Sequence, residues 1–160
     1  MGTGKIPDAV STAIRRIAFW DLKAIAKIED ASYNQPWNKD ELEALLIQPE
    51  VEGWGLYSGG KIMGYAVVRY RTRHAFLETL TIHPRFRRLG LGSELMRFMF
   101  GRSAQHGSRS MVLEVHETNL DAQLFFAALD FNVIKVMHTY FDDGADAYLF
   151  SRRLYATQTA

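Results

Sequence analysis

The chain has 160 residues, a length that fits one domain with a substantial buried core. Its 48% hydrophobic and 23% charged residues are typical of a globular protein, and a net charge of +1 does not indicate a dominant nucleic-acid surface. The chain contains no cysteine, which excludes disulfides and thiolate chemistry and fits a reducing cytoplasm. No apolar run approaches the ~20 residues that cross a bilayer, and residues 1–6 lack the hydrophobic core of a secretion signal. We therefore expect a cytoplasmic protein with no nucleic-acid or membrane partner, either a monomer or a homodimer.

A strand and two helices are predicted at the start of the chain. Residues 12–18 alternate in polarity as a short strand does. Asp21 is suited to cap a helix whose apolar residues recur at helical spacing. The chain then breaks at residues 34–37, and Asn38 with Glu41 has the pattern of a capping box that starts a second helix.

Three strands are predicted next, and the first two form a hairpin. Residues 53–57 and 62–70 are strand-like, and Gly59 and Gly60 lie between them as the turn. Residues 75–82 form the third strand.

The second half alternates helices and strands and closes with an antiparallel pair. These elements are predicted at residues 91–106, 110–115, 120–129, 133–140 and 147–154, with Gly107 as the C-cap of the first helix. The resulting order is β-α-α-β-β-β-α-β-α-β-β, an α/β (α+β) chain whose mixed sheet is flanked by helices. We expect one domain over residues 12–154, with flexible tails at 1–11 and 155–160.

Residues 80–95 carry the most informative pattern, a strand followed by a basic, glycine-bearing loop and the start of a helix. A glycine lets the backbone turn sharply and lets an anion approach the amides closely. The first turn of a helix adds unpaired N–H groups and a partial positive charge. The contributing side chains and glycines are Arg85, Arg87, Arg88, Gly90 and Gly92. This segment predicts a phosphorylated ligand, and the plain alternative is a turn with a solvated face.

The spacing Arg87-x-x-Gly90-x-Gly92, after a strand ending in His83 and Pro84, resembles the acetyl-CoA pyrophosphate loop of the GNAT superfamily of N-acetyltransferases. It is neither the dinucleotide-binding fingerprint nor a P-loop.

A second segment resembles one subgroup of that superfamily, the bacterial ribosomal-protein-alanine N-acetyltransferases. Leu113-Glu114-Val115 followed by Asn119 is similar to the L-E-V-x-x-x-N run of the subgroup, and Trp37 after a proline is similar to its Pro-Trp break. The resemblance covers roughly residues 12–154. It implies a single-domain acyl-CoA N-acyltransferase fold with a mostly antiparallel sheet of about seven strands and four helices.

The resemblance also implies a binding site for acetyl-CoA as co-substrate. Strand residues would pair with the pantetheine arm, loop amides would hold the pyrophosphate, and helix residues would contact the cofactor. The implied cofactor-binding residues are Leu80, Thr81, Ile82, Arg87, Arg88, Leu89, Gly90, Leu91, Gly92, Ser93, Asn119 and Phe126.

Glu114 is the implied general base, and Glu78 on the preceding strand is the competing candidate. Phe126 stands where the subgroup has a tyrosine thought to protonate the leaving thiolate. Tyr140, which matches a tyrosine on the following strand of the subgroup, is the second choice for the acid, and Tyr33 is the third. Asp130 is a further departure, since it replaces the glycine of a Gly-Phe pair. Direct transfer needs no nucleophilic residue and no metal, and the five histidines show no metal-ligand spacing.

The predicted activity is acetyl transfer from acetyl-CoA to a primary amine, with a protein or peptide N-terminus as the first choice of acceptor. The acceptor groove is expected at residues 33–37 and 141–146. Asp142, Asp143 and Asp146 would suit a cationic small amine, which is the second hypothesis. The third hypothesis is a CoA-binding module without catalysis, and it is motivated by Phe126.

Overall fold

The structure is a computed structural model that describes residues 11–155. The predicted tails at 1–11 and 155–160 therefore lie outside the described residues, apart from Ser11 and Tyr155. Within residues 11–155, seven strands and four helices follow the predicted order, with 3-10 turns at Phe19–Asp21 and Pro84–Phe86. The strands are β1 (Ala13–Arg16), β2 (Val51–Ser58), β3 (Lys61–Tyr70), β4 (His74–Ile82), β5 (Ser110–His116), β6 (Asn132–Met137) and β7 (Ala147–Arg153). The helices are α1 (Leu22–Ser32), α2 (Lys39–Leu46), α3 (Leu91–Gln105) and α4 (Leu120–Ala128).

The strands form one mixed sheet in the order β1-β2-β3-β4-β5-β7-β6. The β4–β5 pair is parallel, whereas β1–β2, β5–β7 and β6–β7 are antiparallel. This confirms the predicted mixed, mostly antiparallel seven-stranded sheet. The last strand of the chain lies between β5 and β6, so β6 rather than β7 is the edge strand.

The chain divides into two compact units, each with its own buried side chains. The first takes in the described residues up to Gln48 together with Glu52–Val67 and Leu80–Leu95. Its largest fully buried side chains are Ile25, Glu29, Leu42, Leu56, Tyr65, Val67 and Leu95.

The second unit consists of Pro49–Val51, Val68–Thr79 and the described residues from Met96 onward. Its largest fully buried side chains are Val68, Met96, Met99, Ser103 and Met111.

Local sequence signals determine several of these boundaries. The side chain of Asn38 accepts the backbone N–H of Glu41 at 2.9 Å, which confirms the predicted cap of α2. Gly59 and Gly60 have φ values of 56° and 79°, the left-handed pair that a tight hairpin turn requires. Gly107 follows α3 with a φ of 102°, as the C-cap prediction requires.

The predicted cap at Asp21 is wrong. Its carboxylate makes no cap hydrogen bond to α1. Instead it accepts the backbone N–H of Ala18 at 2.8 Å, the Arg15 guanidinium at 3.0 Å and the Tyr57 hydroxyl at 3.0 Å. Burial opposes ionisation, but these donors hold the pKa of Asp21 below its ordinary value. Because the carboxylate binds a buried tyrosine and an arginine, it does not cap α1.

Candidate active site

The loop between β4 and α3 turns through two left-handed residues. Arg88 has a φ of 64° and Gly90 a φ of 77°. Gly92, expected to share in this turn, lies within the first turn of α3 instead. Arg88 is therefore the second strained position, which a side chain occupies at a cost because Cβ crowds the following carbonyl.

The N-terminus of α3 is open to an anion. The first hydrogen bond of the helix runs from Glu94 N–H to the Gly90 carbonyl at 3.1 Å. The N–H groups of Leu91, Gly92 and Ser93 thus precede the helical ladder and lack acceptors within it. A Cβ placed on Gly90 would meet nothing within 4 Å, so the space beside this glycine is open. Amides without acceptors in the helix, a helix dipole and neighbouring arginines fit a diphosphate.

Arg87 is oriented by the strand that precedes it. Its Nε donates to the carbonyl of Ile82 at 3.0 Å, and the side chain is exposed. In the intervening turn, His83 Nδ1 accepts the N–H of Arg85 at 3.1 Å. These two contacts fix the path of the basic loop before any ligand binds.

The side chain of Thr81 is buried and hydrogen-bonded, so only the backbone of this residue is suited to meet a ligand. The residue is 2% exposed, and its hydroxyl lies 3.0 Å from the Tyr33 hydroxyl and 3.5 Å from Glu29 Oε1. A Cβ on Gly64 of β3 would meet the Thr81 carbonyl at 2.8 Å, so glycine is required at that position. Burial, with the nearby Glu29 carboxylate, raises the pKa of Tyr33, so its hydroxyl stays protonated.

In the second unit, the two predicted catalytic residues meet. The Glu114 carboxylate interacts with the Tyr140 hydroxyl, and this interaction is the main reason that the pKa of Tyr140 is raised. Glu114 is half-buried on β5, opposite Leu149 of β7. Tyr140 is 48% exposed. The arrangement joins a carboxylate that can accept a proton to a phenol that holds one.

Glu78, the competing base, is held in an ion-pair cluster. Arg69 Nε lies 2.7 Å from the Glu78 carboxylate, and Arg69 Nη1 lies 2.6 Å from that of Glu50. Both carboxylates raise the pKa of Arg69, the hydrogen bond to Glu78 most of all. The Glu78 carboxylate is already occupied by this guanidinium, which favours Glu114 as the candidate base.

A histidine–aspartate pair was missed by the sequence reasoning. His116 Nε2 lies 2.8 Å from Asp143 Oδ2, and its ring stacks on Phe141 with centroids 4.9 Å apart. Because Nδ1 accepts the N–H of Thr118 at 3.1 Å, the ring proton of the neutral form is on Nε2 and points at Asp143. The available signal was spacing, since residues two apart on a strand share a face and His116 follows Glu114 by that interval.

Two of the three acidic residues expected to attract a cationic acceptor are engaged within their own hairpin. The Ala145 N–H, together with His116, lowers the pKa of Asp143. The Thr139 N–H at 2.8 Å, together with His138 at 3.1 Å, lowers the pKa of Asp146. Asp142 remains exposed. These contacts shape the hairpin and occupy carboxylate oxygens that a small cation would otherwise contact.

The α4 candidates have structural partners. Asn119 caps the helix by accepting the N–H of Ala122 at 3.1 Å. Phe126 is 8% exposed and packs edge-on against Phe125 and Phe131, at centroid distances of 5.0 and 5.4 Å. Asp130 has a φ of 66°, which explains why the resembling motif places glycine there.

Within residues 11–155, no group of three or more histidine and acidic side chains could hold a metal ion. No helix in that span is long and apolar enough to cross a membrane.

A seven-stranded mixed sheet in this strand order with four helices is the fold of the acyl-CoA N-acyltransferases. The acetyltransferase (GNAT) family model matches residues 22–131, and the chain belongs to that family of N-acetyltransferases.

Individual proteins extend this result. The chain is 24% identical over 121 residues to the ribosomal protein bS18-alanine N-acetyltransferase of Escherichia coli K12, covering 76% of this chain and 81% of that one. It is 26% identical over 161 residues to an N-alpha-acetyltransferase of Sulfurisphaera tokodaii, covering 88% and 92%.

Solved structures share the fold. The crystal structure of the Escherichia coli ribosomal-protein-S18-alanine N-acetyltransferase matches with a TM-score of 0.82 at 23% identity, covering 94% of this chain and 99% of that one. The structure of Arabidopsis thaliana NAA60 with acetyl-CoA matches with a TM-score of 0.78 at 15% identity, covering 90% and 99%.

Proposed function

We propose that the chain transfers the acetyl group of acetyl-CoA to the α-amino group of a protein or peptide N-terminus. Two named relatives support this acceptor class: the Escherichia coli relative is named for an alanine of ribosomal protein bS18, and the Sulfurisphaera tokodaii relative is an N-alpha-acetyltransferase. Residues 12–154 are proposed to act as the acetyltransferase domain.

The co-substrate is proposed to bind to residues of the first unit. The N–H groups at the start of α3 and the exposed Arg88 would hold the diphosphate. The backbone of Leu80, Thr81 and Ile82 on β4 would pair with the amides of the pantetheine arm, as an added strand does.

The pairing of the Glu114 carboxylate with the Tyr140 phenol, which raises the pKa of that phenol, is the observation that carries the chemistry. An amine attacks a thioester only when neutral, which at pH 7 costs about 1.4 kcal/mol for an α-amino group and about 4.6 kcal/mol for a lysine. Glu114 takes the proton of the α-ammonium group, directly or through water. The nitrogen lone pair then forms the amide bond to the carbonyl carbon while the C–S bond breaks. The CoA thiolate leaves and is protonated by Tyr140 or by solvent. The nitrogen gives up its second proton as the amide forms, and that proton returns to the Tyr140 phenolate or passes to solvent.

The acceptor class is tested by incubating the protein with acetyl-CoA and either a library of N-terminal peptides or a panel of polyamines, amino sugars and amino acids. Mass spectrometry of the products is expected to show acetylation at peptide α-amino groups. Acetylation of small amines alone would contradict the proposed acceptor. Calorimetric binding of CoA with no product from either set would point to a binding module without catalysis.

A further inference from the structure

Glu29 is a fully buried carboxylate that the proposed chemistry does not use. It lies on α1 with 0% of its surface exposed. Among residues 11–155 no cation forms an ion pair with it. A buried carboxylate without a counter-ion is costly unless several donors surround it. Its hydrogen bonds therefore define its role.

The donors to Glu29 come from three separate elements. The Tyr65 hydroxyl of β3 and the Thr81 hydroxyl of β4, the latter at 3.5 Å, share Oε1. The backbone N–H of Trp37, in the loop between α1 and α2, donates to Oε2 at 3.3 Å. One carboxylate thus binds the helix, two strands and the loop together.

Both ends of the segment 33–37 depend on this carboxylate. The Thr81 hydroxyl donates to Glu29 at 3.5 Å and shares a hydrogen bond of 3.0 Å with the Tyr33 hydroxyl, in which either oxygen can be the donor. The hydrogen bonds therefore run from Tyr33 through Thr81 to Glu29. The other end of the segment, Trp37, bonds to Glu29 directly.

We infer that Glu29 is a positioning residue that holds the acceptor loop, residues 33–37, against β4. The inference rests on the proposed function, since it takes that loop as part of the acceptor site. Glu29 touches neither substrate; it acts through Tyr33 and through the Trp37 amide. The segment between these tethers is kept in one conformation before the acceptor arrives, which lowers the entropy lost on binding.

The test compares Glu29→Gln with Asp30→Asn, the same carboxylate-to-amide change at the adjacent, exposed position of α1. Glutamine keeps the size but has one acceptor oxygen for three donors. We expect Glu29→Gln to raise the acceptor KM about tenfold, the loss of one charge-assisted hydrogen bond. CoA affinity should stay within about twofold of wild type, since the diphosphate loop is untouched. Asp30→Asn should change neither.

Tyr33→Phe keeps the inference testable if Glu29→Gln does not fold, because it removes the outer end of the chain of hydrogen bonds and leaves the buried carboxylate intact. In the wild-type background, Tyr33→Phe should raise the acceptor KM by about threefold. Added to Glu29→Gln, it should raise the acceptor KM by less than about twofold further, because the effects of two residues in one hydrogen-bond network do not add. A loss of folded protein would lower kcat and leave KM unchanged. Unchanged acceptor KM in both single variants overturns the inference.

Amide exchange separates this inference from the proposed function. If the wild-type chain acetylates no acceptor, the proposed function fails, and the tether is tested by hydrogen exchange at the Trp37 amide. Exchange should be faster in Glu29→Gln than in Asp30→Asn, because the amide has lost a charged acceptor. Equal exchange in the two variants contradicts the role of Glu29 whether or not the chain is active.

Discussion

The Glu114 carboxylate acts on Tyr140, and the direction in which it moves the pKa of the phenol bears on the role of Tyr140. The carboxylate raises the pKa of Tyr140 above the ordinary value for a phenol, about 10. The hydroxyl therefore remains protonated across the neutral range, which keeps a proton available next to the site of chemistry.

Replacing Glu114 by glutamine tests the base. We expect Glu114→Gln to lower kcat about a hundredfold or more, the usual contribution of a general base, while the CoA dissociation constant stays within about twofold. Single-turnover kinetics and calorimetry give the two quantities. Glu117→Gln, an exposed change on the same stretch of chain, is the control. Equal rates for the Glu114 and Glu117 variants would remove Glu114 from the mechanism.

The two candidate acid positions are separated by a reciprocal pair of variants. Tyr140→Phe removes the hydroxyl that interacts with Glu114 and should lower kcat by about tenfold to a hundredfold. Phe126→Tyr adds a hydroxyl to a side chain packed between Phe125 and Phe131, so we expect no gain in kcat and a loss of about 1 kcal/mol in the free energy of unfolding. A higher kcat in Phe126→Tyr would show that thiolate protonation limits turnover and that residue 126 reaches it.

At the scale of elements, the loop before α3 depends on backbone conformation more than on side chains. Gly90 has a φ of 77° with open space where a Cβ would stand, so a side chain there is strained without being crowded. Gly101 lies inside α3 and also has open space around it. The two glycines differ only in their backbone.

This difference predicts that a glycine-to-alanine substitution changes the free energy of unfolding in opposite directions at positions 90 and 101. Gly90→Ala should lower the free energy of unfolding by about 1 kcal/mol and weaken CoA binding, because alanine resists the left-handed conformation. Gly101→Ala should raise it by about 0.5–1 kcal/mol, the difference in helix propensity, with CoA affinity unchanged. Denaturant unfolding and calorimetry measure both. A stabilised Gly90→Ala variant would mean that the loop does not need the left-handed turn.

The hairpin between β6 and β7 should be sensitive to acid. The Ala145 N–H and His116 lower the pKa of Asp143 in the folded state. A depressed folded pKa stabilises the protein above the unfolded value of about 3.9, and this contribution is lost as pH falls through the folded pKa. Asp143→Asn should therefore flatten the acid limb of a stability curve measured from about pH 3 to pH 7, whereas Asp142→Asn should not. Identical acid limbs would remove Asp143 from the acid response.

At the scale of the whole molecule, ligand binding should appear as thermal stability. A ligand at a hundred times its dissociation constant adds about 2.7 kcal/mol, which corresponds to a rise of about 5–11 °C in Tm for a chain of this size. We expect CoA to give such a shift and pantetheine, which lacks the diphosphate, to give little at the same concentration. Equal shifts for the two ligands would place the affinity outside the loop at the start of α3. Differential scanning fluorimetry is sufficient for this comparison.

Signals confined to a few neighbouring residues were enough to predict much of this protein. The glycine pair at 59 and 60 predicts a hairpin because only glycine adopts two left-handed conformations at low cost, and Asn38 predicts the start of α2 because its side chain reaches an amide three residues away. The predicted anion-binding loop also rests on local signals, because glycine, arginine and the start of a helix are adjacent in the chain.

The tertiary structure alone decided which charged groups meet. Glu78 and Glu114 both stand on strands, yet the first binds Arg69 and the second Tyr140. Asp21 binds Tyr57 instead of capping α1. Glu29 is not among the predicted site residues, because its burial under three donors follows only from the tertiary structure. These pairings depend on which strands are neighbours and on what burial removes from water. Residue type and local spacing determine elements and turns, whereas long-range contacts follow from the order of the strands in the sheet.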